Sequence, residues 1–382
     1  MKIALCDLNH MTLGVHTNTA PLGIGLLRRF LLLRIPGLGE VRFYKDPARF
    51  LGDLEAGWTP DLLGIAQYPW NSELNLFAAR RAKERNRTCT VVAGGPNLFQ
   101  DAPGREGFLH RNSQVDICVA YDGEIPLSDI AARLLAGEDT AGLRERPVGG
   151  SYALVPGGRA LRLGPGPAPR LASLDVFGAA YADGDFDRFL DDGFHPFVQT
   201  QRGCPYTCTY CRGSDPYQSR ILFQSPDIFR RDLEQLGRRF AGRHEVALWM
   251  ANPNFGLFPE DLDVARVIRE SQERHDWPRT ITVNPVGEPK KLRALMALLK
   301  YPVRPILPLQ TLTPSVLRNI RRHNVPFERF VEFQRGLAPS VEGASTTALI
   351  LGLPGETRDT FIETISRVLD AGVQNVVVYT LM

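Results

Sequence analysis

Three cysteines stand within eight residues of this 382-residue chain, in the run Arg202-Gly203-Cys204-Pro205-Tyr206-Thr207-Cys208-Thr209-Tyr210-Cys211. Three residues separate the first pair and two the second. A loop that folds such thiols onto one point makes a three-sulfur pocket for a soft metal. Structural zinc usually takes four protein ligands in two pairs, and apart from His195 no fourth Cys or His is near in sequence. Three thiolates fit an iron–sulfur cubane better. One iron is then left without a protein ligand and can bind a substrate or cofactor, which makes the cluster catalytic rather than only an electron relay. The other cysteines, Cys6, Cys89 and Cys118, lie in apolar strand-like runs and read as reduced, buried hydrophobes.

The cysteine run follows the short apolar segment Phe197–Gln201, so it falls at the C-terminal end of a strand, where parallel α/β proteins carry their chemistry. From 194 onward strands and helices alternate. Strands are expected at Phe197–Gln201, Glu245–Met250, Thr280–Val283, Pro305–Leu309, Thr347–Leu351 and Asn375–Tyr379, a rhythm that fits a partial (β/α)6 TIM-like barrel over 194–382. The sequence stops just after the sixth strand with no covering helix, which reads as a barrel truncated at its C-terminal end. Residues 1–137 show the same alternation and read as a doubly wound, Rossmann-like α/β domain. Between them, 138–193 is rich in Gly and Pro and reads as a linker with one small hairpin around Pro156-Gly157-Gly158.

Four strand ends of the first domain carry loop chemistry: Asn9-His10 with Thr19 and Pro21; Gln67, Tyr68 and Trp70; Gly94-Gly95; and Tyr121, Gly123 and Glu124. Each alone is an ordinary turn. Together on one sheet edge they make a platform for a flat, polar ligand. No G-x-G-x-x-G follows the first strand, which disfavours a dinucleotide.

Composition excludes more than it proposes. The chain is 43% hydrophobic and 23% charged with a net charge of +3, ordinary values that give no argument for nucleic acid or an anionic membrane. No apolar run reaches membrane-spanning length. Met1-Lys2-Ile3-Ala4-Leu5-Cys6-Asp7 turns polar too soon for a signal peptide and reads as a first strand. The expected location is the cytoplasm.

The C-x3-C-x2-C spacing with Tyr210 before the last cysteine resembles the radical S-adenosylmethionine (SAM) enzymes. Three later stretches agree with that family: Asn252-Pro253-Asn254-Phe255-Gly256 after the second barrel strand, with Asn252 in place of the usual acid; Gln310-Thr311-Leu312-Thr313 with Arg322-His323-Asn324 after the fourth; and Leu351-Gly352-Leu353-Pro354-Gly355-Glu356-Thr357 after the fifth. A doubly wound domain ahead of such a barrel resembles the cobalamin-dependent class, as do Thr19-Ala20-Pro21-Leu22-Gly23, Gly94-Gly95-Pro96 and Gly123-Glu124-Ile125-Pro126. The D-x-H-x-x-G cobalt signature is absent. Asp7-Leu8-Asn9-His10-Met11-Thr12-Leu13-Gly14 has the residue types at another spacing, so His10 as a cobalt ligand does not follow.

The resemblance implies a [4Fe–4S] cluster on Cys204, Cys208 and Cys211, and SAM held near Tyr210, Asn252, Asn254, Gln310 and the turn with Gly352, Pro354 and Glu356. It further implies cobalamin on the strand-end residues of the first domain, with Tyr68 and Trp70 walling the corrin. The implied reaction is cleavage of SAM to a 5′-deoxyadenosyl radical, with methylcobalamin donating a methyl group to an unactivated carbon of a small molecule or peptide. The alternative is rearrangement, cyclisation or epimerisation with the same cofactors. A flavodoxin or ferredoxin is the implied electron donor. No nucleic acid or membrane partner is expected.

Overall fold

The computed structural model describes residues 1–10, 18–98, 101–158, 160–284, 289–301, 303–305, 307–335 and 346–381. Contacts divide the chain into two compact units, Met1–Leu171 and Ala172–Met382.

The first unit runs β1 (Lys2–Cys6), α1 (Leu22–Arg34), β2 (Glu40–Tyr44), α2 (Pro47–Glu55), β3 (Leu62–Ala66), α3 (Ser72–Arg85), β4 (Thr90–Gly94), α4 (Ala102–Arg111), β5 (Ile117–Val119), α5 (Glu124–Leu135), α6 (Thr140–Glu145), β6 (Ser151–Leu154) and β7 (Leu161–Leu163). Its single sheet has the order β2-β1-β3-β4-β5-β6-β7. The first five strands are parallel and the last two antiparallel. β1, β3 and β4 are almost wholly buried. Their near-continuous apolar runs are what a sheet covered on both faces needs. The chain leaves β1 for β2 on one side and returns to β3 on the other, so the switch point lies between β1 and β3. Two helices of this unit, α4 and α6, were not legible in the sequence. α4 opens on Pro103 and Gly104, residues that lower helix propensity in an interior; its real signal is Asp101, whose side chain caps Gly104 N–H at 3.1 Å.

The expected hairpin forms, but as the edge of the first sheet rather than as an ornament on a free linker. The stretch 138–193 is shared: residues to Leu171 pack with the first unit and those from Ala172 with the second.

The second unit runs α7 (Asp187–Asp191), β8 (Phe197–Val198), β9 (Gln201–Arg202), β10 (Leu222–Phe223), α8 (Pro226–Phe240), β11 (Leu248–Met250), α9 (Glu260–His275), β12 (Ile281–Val283), α10 (Pro289–Leu298), β13 (Val303–Pro305), α11 (Pro314–Asn319), α12 (Phe327–Arg335), β14 (Thr346–Leu351), α13 (Arg358–Asp370) and β15 (Asn375–Thr380). Parallel pairing links β8-β11-β12-β13 and, separately, β14-β15. A parallel bridge from Gln310 to Leu349 and a 3.2 Å hydrogen bond from Leu307 N–H to Thr346 O join the two sheets. Six parallel strands thus follow one another in chain order, the partial barrel that the strand–helix rhythm implies. One strand differs from expectation. Gln201 leaves the first barrel strand and, with Arg202, pairs antiparallel with Leu222–Phe223.

Candidate functional site

That antiparallel pair closes the cysteine loop at its base. Gly203 has φ +106°, and a Cβ there would lie 2.7 Å from both Gln218 O and Arg220 O, so a side chain is excluded. Cys204 N–H donates to Gln218 O at 3.0 Å, and across the loop Thr209 N–H donates to Ile320 O at 3.0 Å. The cysteine run is therefore pinned at both ends, on one side to the β9/β10 clamp and on the other to the end of α11.

The three thiols border one cavity of about 520 Å³. Asn254 Nδ2 donates to Cys204 Sγ at 3.2 Å, Gly213 N–H to Cys211 Sγ at 3.3 Å, and Arg322 Nη1 lies 4.0 Å from Cys208 Sγ. Cys208 is buried while Cys211 reaches solvent. Partial burial raises the Cys211 thiol, and the nearby Cys204 and Cys208 raise it further. Three thiols that border one cavity suit a cluster, because each thiolate can then bind a different iron.

Beside Cys208, Arg322 Nη1 donates to Tyr210 Oη at 3.0 Å and Nε donates to Asn324 Oδ1 at 2.8 Å. Arg322 also donates to Pro308 O. Burial pushes the Tyr210 phenol up to about 12, against the lowering effect of Arg322. Gln310 lines the same cavity, in the left-handed region at φ 65°, and its Oε1 is buried without a hydrogen-bond partner. A strained residue with an orphaned acceptor facing a cavity fits a ligand that brings an N–H. Arg322 and His323, from the Arg322-His323-Asn324 stretch, both line this cavity.

Four expected cofactor contacts do not face the cavity. Asn252 is fully buried; its Oδ1 accepts from Thr200 N–H at 3.0 Å and Gln201 N–H at 3.3 Å, and its Nδ2 donates to Thr200 Oγ1 at 2.7 Å. These bonds brace the strand-to-loop exit. Glu356 Oε1 accepts from Thr311 Oγ1, Thr313 Oγ1 and Thr360 Oγ1, at 3.2, 2.8 and 3.2 Å. Pro354 O accepts from Asn319 Nδ2 at 2.9 Å, and Gly352 turns the chain at φ 91°. The turn after β14 is thus tied to α11 and α13, outside the cavity lining.

In the first unit the expected residues gather at the carboxyl ends of β1, β3, β4 and β5. Asn9 and Thr19 are buried, and Lys45 Nζ donates to Thr19 O. Pro21 is buried at the start of α1, whereas His10 is exposed. Gln67 is fully buried, and neither atom of its side-chain amide has a hydrogen-bond partner. Gly95, at φ +107°, packs so closely on Gln67 that a Cβ would sit 2.7 Å from Gln67 O. Gly94 O accepts from Gln67 N–H at 2.6 Å. Tyr68 stacks on Trp70 with centroids 4.8 Å apart and planes 13° apart, and Trp70 is 49% exposed. Tyr121 takes φ 63°, and Gly123 and buried Glu124 start α5. An orphaned buried amide beside an exposed aromatic stack at a switch point fits a large ligand with amide and apolar surfaces. The motif residues Met11–Gly14 lie outside the described residues.

Beneath this edge sits a buried charged pair absent from the sequence reading. Asp7 is pushed up to about 6 by burial, against the lowering effects of Lys45 and of Asn71, whose Nδ2 donates to Asp7 Oδ1 at 2.9 Å. Burial lowers Lys45 to about 8.

Residues 198–368 match the family model of the radical SAM superfamily. That segment is a radical SAM domain. It is 31% identical over 377 residues to the 2-(S-pantetheinyl)-carbapenam-3-carboxylate methyltransferase of Streptantibioticus cattleyicolor, covering 92% of this chain and 51% of that protein. It is 29% identical over 326 residues to the cobalamin-dependent radical SAM methyltransferase TokK of Streptomyces tokunonensis, covering 82% of this chain and 45% of TokK. The chain thus spans about half the length of these curated relatives. Among solved structures, the radical SAM methyltransferase TsrM of Kitasatospora setae, with cobalamin and a [4Fe–4S] cluster bound, matches with a TM-score of 0.67 at 16% identity, over 99% of this chain and 72% of TsrM. The cobalamin-dependent SAM radical enzyme OxsB, with aqua-cobalamin and SAM bound, matches with a TM-score of 0.69 at 16% identity, over 96% of this chain and 51% of OxsB. This radical SAM chain therefore has the fold of the cobalamin-dependent members.

Proposed function

We propose that the chain is the cobalamin-binding and radical SAM portion of a methyltransferase acting on a small molecule. The observation that carries this reading is the ring of three thiols around the cavity at the carboxyl ends of the barrel strands, on a chain whose curated relatives are named as methyltransferases. When bound, the [4Fe–4S] cluster supplies the electron that cleaves SAM to a 5′-deoxyadenosyl radical, and methylcobalamin supplies the methyl group.

The protein's own share is binding and positioning. Cys204, Cys208 and Cys211 hold the cluster. Gln310 Oε1 accepts an N–H of SAM, and Asn254 and Tyr210 line the same cavity. Tyr210, pushed up to about 12, keeps its proton across the physiological range and serves as a neutral polar wall. In the first unit Gln67, Gly95, Thr19 and the Tyr68–Trp70 stack receive cobalamin. A low-potential donor, a flavodoxin or ferredoxin, supplies electrons, and the reducing cytoplasm suits the exposed Cys211 thiol. Among the described residues no helix is long and apolar enough to cross a membrane.

Methyl transfer over rearrangement is supported by the relatives' names, and a small-molecule substrate by the carbapenam compound in one of those names and the tryptophan substrate in a TsrM structure. The test is turnover with deuteromethyl SAM after anaerobic reconstitution with iron, sulfide and cobalamin. A product heavier by the labelled methyl is expected; an unlabelled product would mean rearrangement.

A further inference from the structure

Each cysteine sulfur has an N–H directed at it, and the three donors differ in kind. At Cys211 the donor is the backbone of Gly213, at 3.3 Å. At Cys208 it is Arg322, a longer 4.0 Å contact from a guanidinium that also holds Tyr210, Asn324 and Pro308. At Cys204 it is the side-chain amide of Asn254, at 3.2 Å. Asn254 is thus the donor that can be removed without cutting backbone or releasing neighbouring side chains.

The turn that carries Asn254 is rigid. Gly256 N–H and Phe258 N–H both donate to Asp261 Oδ2, at 2.9 and 3.0 Å, which ties the turn to the first residues of α9. Asn254 O accepts from Leu257 N–H at 3.1 Å, and Phe255 N–H donates to Asn284 O at 2.9 Å. The amide is therefore held toward the sulfur by contacts that do not involve the sulfur. A cysteine thiolate can only accept, so it selects the NH2 end of the amide.

Resting on the cluster reading above, we propose that Asn254 is a positioning residue that sets the reduction potential of the cluster through the Cys204 sulfur. Adding one electron to the 2+ state of a [4Fe–4S] cluster places more negative charge on its sulfurs. A fixed N–H dipole favours that added charge, because hydrogen bonds to the sulfurs are among the determinants of cluster potential.

The experiment is anaerobic reconstitution of the wild type, Asn254→Ala, Asn254→Asp and Asn254→Ser without SAM. Iron and sulfide per chain are measured, followed by a dithionite titration read by electron paramagnetic resonance. Asn254→Ala should carry the wild-type iron content with a more negative midpoint. At a fixed solution potential its ratio of reduced to oxidised cluster should fall on the order of tenfold, about 59 mV for a one-electron couple. Asn254→Asp, which sets a carboxylate against the sulfur, should fall further, and Asn254→Ser, which keeps a donor, should recover part of the loss. An unchanged midpoint with full iron in Asn254→Ala overturns the proposal. So does loss of iron in that variant alone, which would assign Asn254 to cluster assembly. Failure of the wild type itself to take up a cluster overturns the cluster reading instead.

Discussion

Asn252 and Asn254 stand two residues apart in one turn and serve different purposes. Asn254 faces a cysteine sulfur, whereas Asn252 faces inward and satisfies two backbone N–H groups and a hydroxyl at the strand exit. Removing a buried partner leaves its donors unpaired, at about 1–3 kcal/mol each. Asn252→Ala should therefore destabilise the second unit by about 3 kcal/mol, seen as a lower denaturant midpoint. The sequence marks both residues equally, as Asn at a strand end. Which one binds and which one braces depends on Thr200 and Cys204, each about fifty positions away, and local pattern does not carry that information. Asp7 is a second residue-scale case. Its folded pKa is raised from 3.8 to about 6, so the folded state holds the proton more tightly than the unfolded chain. That contribution is complete below the unfolded value and is lost as pH rises through about 6, a change of up to about 3 kcal/mol. Asn does not ionise. The thermal midpoint of Asp7→Asn relative to wild type should therefore rise steadily between about pH 4 and pH 7, and a flat difference would count against the assignment.

At the scale of elements, the short antiparallel pair β9/β10 determines the geometry of the cysteine loop. The sequence supports a strand over 197–201, because the short run led by Phe197 and Val198 just ahead of the cysteines reads as a buried strand. It contains no sign that Gln201 would turn away to meet Phe223, since that partner lies beyond the cysteines it helps to enclose. The glycine before Cys204 is the legible trace of the arrangement. Gly203→Ala puts a Cβ 2.7 Å from two carbonyl oxygens at a φ of +106°. The strain of about 1–3 kcal/mol plus the clash should open the loop, and iron uptake should fall well below one cluster per chain while the far-UV circular dichroism stays unchanged. The turn after β14 is legible in part for a related reason. Its Gly352-Leu353-Pro354-Gly355-Glu356 pattern is visible locally. The three threonine hydroxyls that hold Glu356 come from the stretch after the fourth strand and from α13, and that convergence is tertiary.

At the scale of the whole chain, the alternation of strand and helix was sufficient for the two α/β units, including the parallel order in the first sheet and the six successive strands of the second. The boundary was less legible, because Gly- and Pro-rich sequence looks like a linker even where it forms an edge hairpin. Each unit has its own core and its own candidate site, so damage to one should leave the other intact. Cys204→Ala, Cys208→Ala and Cys211→Ala should each lose the cluster absorbance, with iron falling to near zero. Uptake of hydroxocobalamin, followed by its visible spectrum after desalting, should be retained within about twofold, since each substitution lies in the second unit alone.

The stacked pair at the end of β3 has an optical consequence. Trp70 is the exposed member of the chain's four tryptophans, while Trp58 and Trp277 are buried. An indole half in water emits at longer wavelength than one in a core, so the red edge of the intrinsic fluorescence belongs chiefly to Trp70. A corrinoid, which absorbs strongly in that range, should extinguish this component first as it binds. In Trp70→Phe the red edge should already be missing and titration with cobalamin should produce little further quenching, which would make one side chain a reporter of occupancy that needs neither iron nor SAM.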